Sequence, residues 1–470
     1  MKLFLPVLAL SFLTASCVNT SPVETKTLNQ PQNIIKTNTP PKNIIMVIGD
    51  GMGPAYTTAY RYYSDNPTTE VVEETVFDRH LTGLSSTYPA PVSGVVTDSA
   101  ASATALATGF KSYNGAIGVD VNKQSVQTVL EWSKLQGKKT GVVVTSQINH
   151  ATPASYLAHN EHRRNYNAIA DSYIDDGIKA DLYLGGGWKY FIRQDRNLVD
   201  EFKQAGFHYI DNYQGLENLP NDKPVLGLFA DVGLPWALDD TNKHRLSTMT
   251  KAAVHHLSDI QKHDNAPDKG FFMLIEASQI DWAGHGNDIS DAMAEMDDMA
   301  KTLEYLEHFV AHHPDTLVIV TADHSTGGFT LGAYGKYQWQ AKHLRAMKHS
   351  VNYIAKQLAT NDIDAGYVNT LFNFELSQEE LKLLIDNKTT PKLKKSTNIY
   401  QNKNTPDPQQ ALLIIIKKII DARTNSGWTS GGHTAIDVPV FAFGKQSELF
   451  NGSQDNTDIA KKIFKLLGKQ

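Results

Sequence analysis

Five short apolar runs punctuate the chain at wide spacing: IIMVI (44–48), GVVVT (141–145), FFMLI (271–275), LVIVT (317–321) and VPVFAF (438–443). Each is near-continuous rather than alternating, as strands covered on both faces are. Helical patterns fill the intervals. In residues 288–313, Met293, Met296, Leu303 and Leu306 recur at helix spacing, with acids on the other side. Strand and helix alternating over this length predict an α/β fold whose central sheet is mostly parallel. No internal repeat is visible.

Residues 330–430 break the rhythm. LSQEELKLLIDN carries Ser377 and Glu380 at capping-box spacing, a lysine-rich polar stretch follows, and an apolar helix opens after Pro408. This reads as an insertion or subdomain on the main sheet, serving as a dimer contact or an active-site lid. The N-terminus is different again. Lys2 precedes an apolar run to Leu13 and small residues ending at Cys17, the only cysteine. Residues 1–16 read as a secretory signal peptide, too short to span a bilayer as a mature helix. Cys17 stands where bacterial lipoprotein signals place the lipidated residue. Residues 17–42 then form a flexible tether, and 43–470 the folded domain. The expected location is the periplasm or the outer membrane of a Gram-negative bacterium.

Bulk composition narrows the function classes. With 41% hydrophobic and 20% charged residues in 470, the chain has material for a large core. A net charge of −6 gives no footprint for nucleic acid, so anion capture must come from local positive charge.

The chemistry-bearing residues share one position type, directly after an apolar run. Asp50 follows the first, and His150 and Thr152 follow the second. Glu276, Asp281 and His285 follow the third, Asp323 and His324 the fourth, and His433 precedes the fifth. In an open α/β sheet the carboxyl ends of the strands form the ligand crevice, so these segments converge. Asp281 and His285 lie one helical turn apart and can face one ion. No thiol is available; imidazole with carboxylate favours zinc, and carboxylate with hydroxyl favours magnesium. Taken singly, each has a bland alternative: an exposed ion pair, a chance doublet, a helix cap. Most of the 17 histidines, His255, His256, His312 and His313 among them, read as surface residues. Asp50, Asp98, Glu276, Asp281 and Asp323 crowded together repel one another unless divalent cations and an arginine compensate them. Compensated in that way, the crevice attracts a phosphate dianion.

The stretch TDSAASATALATG (97–109) puts Asp98 and Ser99 at the start of an alanine-rich helix. The N-terminal N–H groups favour a negative group there. Simple capping by Asp98 or Ser99 is the competing reading. A serine hydroxyl needs a base or a metal to become a nucleophile, and the neighbouring cluster would supply one.

The set DSAASATA, GDGMG, HATPASYLAH, EASQIDWAGHGND, TADHSTGG and SGGHT, in order over residues 43–445, resembles the alkaline phosphatase family. The resemblance implies a three-layer sandwich, a homodimer, two zinc ions and one magnesium ion per chain, and hydrolysis of phosphate monoesters. Ser99 matches the nucleophile that becomes phosphoserine. Asp281, His285 and His433 match one zinc site. Asp323, His324 and Asp50 match the other, and Asp50, Thr152 and Glu276 the third site. Arg163 matches the arginine that grips phosphate, with Arg164 its rival in register, and Asp98 would orient it. Two positions depart from the best-known bacterial pattern: His150 replaces an aspartate near the magnesium, and Trp282 replaces a lysine that reaches phosphate through water. The rivals are a phosphodiesterase of the same superfamily and a non-catalytic metal-binding surface lipoprotein. A sulfatase would want a proline and arginine after the nucleophile, where this chain has AASA.

Overall fold

The computed structural model describes residues 39–263, 268–389 and 408–469. The leader, Cys17 and the tether up to residue 38 lie outside the described residues. Residues 40–470 form one unit.

Its first eight strands are β1 (Asn43–Gly49), β2 (Leu81–Ser86), β3 (Lys139–Gln147), β4 (Leu182–Gly186), β5 (His208–Ile210), β6 (Val225–Leu228), β7 (Phe271–Ala277) and β8 (Thr316–Thr321). Four two-residue strands follow: β9 (Ser325–Thr326), β10 (Thr330–Leu331), β11 (Ser426–Gly427) and β12 (His433–Thr434). The chain closes with β13 (Val438–Gly444) and β14 (Gly452–Asp455). Ten of these make one sheet, in the order β14-β2-β13-β8-β1-β7-β3-β4-β6-β5. From β8 to β5 every pairing is parallel; β13 runs antiparallel to both of its neighbours.

The five apolar runs are the five contiguous central strands, β13-β8-β1-β7-β3. Their side chains alternate between two cores. Ile45 and Val47 of β1 join one cluster, with Met273 and Val320; Ile44, Met46 and Ile48 join the other, with Leu274 and Ile319. A sheet buried on both faces has no polar face to show, which is why its strands read as unbroken apolar runs. The fold is the expected three-layer α/β/α arrangement.

The helix Ile289–His312 carries Met293, Met296, Leu303 and Leu306 inward, all buried. Its acids do not all face water. Glu295 and Asp298 are buried against Arg245, which is itself fully buried, at 2.7 Å and 2.9 Å. A guanidinium on the neighbouring helix makes their burial tolerable by pairing them. His256 likewise departs from the surface reading: it is buried beside Leu257, while His255 is exposed.

In the segment 330–430, the Ser377–Glu380 capping box forms as written, with bonds of 2.7 Å and 3.2 Å. The helix opening at Pro408 runs to Thr424. Ile354, Leu384, Leu412 and Ile416 of this segment share one apolar cluster with Ile45 and Val320 of the sheet. Among the described residues, no helix is long and apolar enough to cross a membrane.

Candidate metal centre and active site

Parallel pairing brings the carboxyl ends of β8, β1, β7 and β3 to one edge, side by side. Asp50 follows β1, and Glu276 is the penultimate residue of β7. Asp323 and His324 follow β8, and His150 and Thr152 follow β3. The helix Gln279–Gly286, entered directly from β7, presents Asp281 and His285. His433 arrives from the far end of the chain because β12 pairs with β9, next to His324. The β9–β12 ladder is a tether that no apolar pattern announces.

Two groups of ligand-type atoms result. In one, His285 Nε2 lies 3.1 Å from His433 Nε2 and 3.4 Å from Asp281 Oδ2, and His433 Nε2 is 3.6 Å from Asp281 Oδ1. In the other, His324 Nε2 lies 3.2 Å from Asp323 Oδ2 and 3.5 Å from Asp50 Oδ1. Ligands bound about 2.0–2.1 Å from a tetrahedral zinc are about 3.3 Å apart, so both spacings suit such an ion. Asp50, His150 and Glu276 form a third convergent group.

The outer hydrogen bonds leave the inner atoms free. His285 Nδ1 donates to Gly431 O and His433 Nδ1 to Thr97 O, both at 2.8 Å, which directs each Nε2 inward. Thr326 Oγ1 lies 3.2 Å from His324 Nδ1 and donates to Asp281 Oδ1 at 2.5 Å. Gly51 N and His324 N both donate to Asp323 Oδ1, each at 3.0 Å. Ser278 and Ser146 hydroxyls hold Glu276 Oε2, at 2.6 Å and 3.2 Å. What remains is buried and without a hydrogen-bond partner among the described residues: both Asp50 oxygens, Asp323 Oδ2, Glu276 Oε1, Thr152 Oγ1 and His150 Nδ1. Buried oxygens of this kind are costly unless something binds them, and divalent cations fit the donor set.

Electrostatics points the same way. Burial, reinforced by Asp323, Asp281 and Glu276, raises the Asp50 carboxyl well above its usual range. Burial also pushes Asp323 and Glu276 up to about 7. The His324 and His433 imidazoles are pushed down, burial first and neighbouring histidines after it, which favours the neutral, ligating form.

The helix Ser99–Thr108 meets this centre with its N-terminus. Asp98 is its N-cap: Oδ1 accepts from Ala101 N and from Gly115 N, each at 3.0 Å. Its other oxygen accepts from Arg163 Nη1 at 3.1 Å. Capping and the orientation of an arginine are therefore performed by one carboxylate. Ser99 is the first helical residue, and its Oγ lies 3.1 Å from His324 Nε2. Ser102 Oγ donates to Asp323 O at 2.7 Å and accepts from Asn456 Nδ2 at 3.0 Å, pinning the helix to the β8 end. Arg163 is partly buried and its second nitrogen lies 3.4 Å from His150 Nε2, whereas Arg164 is exposed. His150 also meets Trp282 edge-on, at 5.9 Å between ring centres.

The structure thus brings Asp50, Asp98, Ser99, His150, Arg163, Glu276, Asp281, Trp282, His285, Asp323, His324 and His433 together and buries Thr152 in the helix Ala151–Leu157 beside His150, while Arg164 stays exposed. It adds Thr326, Ser146, Ser278 and Gly51, which touch the candidate metal-binding residues. Gly51 is held at φ +73°, and a Cβ there would meet Thr326 Oγ1 at 2.7 Å. The sequence carried a signal for Thr326, two residues beyond His324 in the same polar loop, but nothing marked the serines.

Residues 41–469 match the family model described as alkaline phosphatase. Alkaline phosphatase 3 of Bacillus subtilis (strain 168) is 45% identical over 432 residues, covering 91% of this chain and 89% of the relative. The crystal structure of a cold-active alkaline phosphatase from a psychrophilic Shewanella sp. is 48% identical, with a TM-score of 0.82, covering 90% of this chain and 99% of that one. A mutant of TAB5 alkaline phosphatase with Mg bound in its M3 site is 28% identical, with a TM-score of 0.64, covering 92% of this chain and 99% of that one. A family model spanning nearly the whole folded unit, together with these relatives, shows that the chain belongs to the alkaline phosphatase family.

Proposed function

We propose that this protein hydrolyses phosphate monoesters to an alcohol and inorganic phosphate through a phosphoserine at Ser99. The observation that carries the reading is the 3.1 Å approach of Ser99 Oγ to His324 Nε2, an atom that also faces Asp50 and Asp323. Asp281, His285 and His433 would hold one zinc ion, and Asp50, Asp323 and His324 a second. Asp50, Thr152 and Glu276 would hold magnesium; His150, grouped with Asp50 and Glu276, makes that position able to take zinc as well. When bound, these ions lower the pKa of an attached hydroxyl or water and neutralise charge on transferring phosphoryl oxygens.

Ser99 supplies the attacking oxygen from a helix N-terminus, where main-chain N–H groups accommodate the anionic phosphoryl group. Arg163 offers a planar fork for two of its oxygens, and Asp98 keeps that fork aimed. In-line attack on phosphorus expels the alcohol, and water then releases phosphate from Ser99 and restores the hydroxyl. The test is a chromogenic phosphate monoester alongside the diester of the same phenol. Faster turnover of the monoester, lost on chelation, is expected; a preference for the diester overturns the reading.

The export signal, the lipid anchor at Cys17 and a periplasmic or outer-membrane location belong to the same proposal. Radiolabelled palmitate should enter the parent and not Cys17→Ser. A homodimer is the expected assembly. In its support, Tyr88, Val92, Val95 and Phe110 expose apolar surface on two loops joined by the Ala90 N to Ser112 O bond. Light scattering should report two chains per particle.

A further inference from the structure

Among the described residues, the segment 330–430 supplies none of the side chains grouped around Asp50, Ser99 and His433. Its last helix, Pro408–Thr424, reaches the metal centre by two routes, and both end on the group formed by Asp281, His285 and His433.

The first route is Lys417. Its ammonium donates to Gly286 O at 2.5 Å, at the C-terminus of the helix Gln279–Gly286 that carries Asp281 and His285. A cation at a helix C-terminus satisfies an orphan carbonyl and complements the helix dipole. The charge of Lys417 also reaches the carboxyls of Asp288 and Asp421, opposing the rise that burial gives each of them. The second route is Asp421, one turn further along. Its Oδ1 accepts from Trp428 Nε1 at 3.0 Å. Trp428 opens the loop that ends in His433. Its ring packs on Phe329 at 4.9 Å between centres, and so close over Gly327 that a Cβ there would meet it at 2.7 Å. The two moored pieces are then laced together. Gly431 O accepts from His285 Nδ1 at 2.8 Å, and Ser430 O accepts from Asn287 Nδ2 at 2.9 Å.

The group formed by Asp50, Asp323 and His324 meets these moorings only at second hand, through Thr326, which lies between His324 Nδ1 and Asp281 Oδ1, and through the stacking of His324 on His433 at 3.5 Å between ring centres. Its residues follow β1 and β8, whose ladders fix them. Resting on the metal reading above, we propose that Lys417, Asp421 and Trp428 are positioning residues for the Asp281–His285–His433 metal site alone. The helix Pro408–Thr424 is thereby the clamp that sets the affinity of that one site. Without it, two histidines reached from a loop and a helix end must be ordered by the ion itself, and part of its binding free energy is spent on ordering them.

The test uses the zinc-loaded parent, Lys417→Met, Lys417→Arg, Trp428→Phe and His285→Ala, with zinc release followed by a coloured chelator. The parent should release zinc in two phases, and the faster should be missing in His285→Ala. Lys417→Met and Trp428→Phe should speed the faster phase about 10-fold or more, the usual scale for losing an outer partner of a metal ligand, and leave the slower one alone. Lys417→Arg should restore most of the parent rate. Acceleration of both phases together, or of neither, overturns the proposal. A parent that releases no zinc, or a His285→Ala protein that keeps the parent's zinc content, overturns the metal reading itself and this proposal with it.

Discussion

The two histidine-bearing groups at the crevice are built from the same two side-chain types, aspartate and histidine, and held in opposite ways. Asp50, Asp323 and His324 are fully buried and follow two adjacent central strands; main-chain N–H groups of Gly51 and His324 hold Asp323 Oδ1, and Thr326 Oγ1 faces His324 Nδ1. Asp281, His285 and His433 come from a helix and a distant loop. The His285 side chain is 42% exposed and anchored on the Gly431 carbonyl, and His433 is held by the Thr97 carbonyl and a two-residue ladder. In the proposed mechanism the difference separates two tasks. The sheet-held group abuts Ser99 and demands a fixed geometry for attack. The loop-held group opens to water, where an alcohol can leave and a water can enter.

The largest effect expected leaves both groups standing. Ser99→Ala should reduce turnover at least about 10³-fold while inorganic phosphate still binds, as calorimetry can check. Near-parental turnover would remove Ser99 from the chemistry. Next comes a contrast between the groups. Asp323→Asn should abolish nearly all turnover, whereas His285→Ala should lose one zinc per chain and retain more activity, by metal analysis and a steady-state assay. Equal losses would mean that the two sites are one cooperative unit.

A third expectation concerns pH. Asp50, Asp323 and Glu276 have raised folded-state pKa values, with Asp323 and Glu276 near 7, while unfolded carboxyls titrate near 4. Raised acids favour the folded state while they stay protonated, and that contribution is lost as pH rises from about 4 through about 7. The chelated protein should therefore melt at a lower temperature at pH 8 than at pH 5.5. Metal loading, which needs deprotonated ligands, should reverse the order in calorimetry. The smallest effect is at the rim. Trp282→Lys should place a cation near phosphate and tighten inhibition by inorganic phosphate up to about 10-fold, one charge-assisted hydrogen bond in scale. An unchanged inhibition constant would take Trp282 out of the phosphate environment.

The same contrast explains what could be read in advance. The central strands are covered on both faces, so their apolar runs were legible, and the ligand residues stood out as polar groups at the end of each run. The flanking strands escaped. β2 is half exposed with the sequence LTGLSS, β14 is GSQD, and β5 has three residues, so none carries an apolar run, while β4 (LYLGG) and β6 (VLGL) are buried but too short to stand out. His433 was legible as a glycine-flanked histidine, but the β9–β12 ladder that delivers it depends on long-range pairing with no local signature. The buried acids Glu295 and Asp298 read as a solvent face because their partner, Arg245, lies 50 or more positions away in sequence. Tertiary pairing overrode the pattern there.

Metal content per chain, measured beside phosphatase activity before and after chelation, tests the central claim most directly. The account predicts at least two zinc-type ions in the active protein, activity lost as they are removed, and recovery when zinc and magnesium are returned. Full activity in a protein stripped of divalent metal would contradict it.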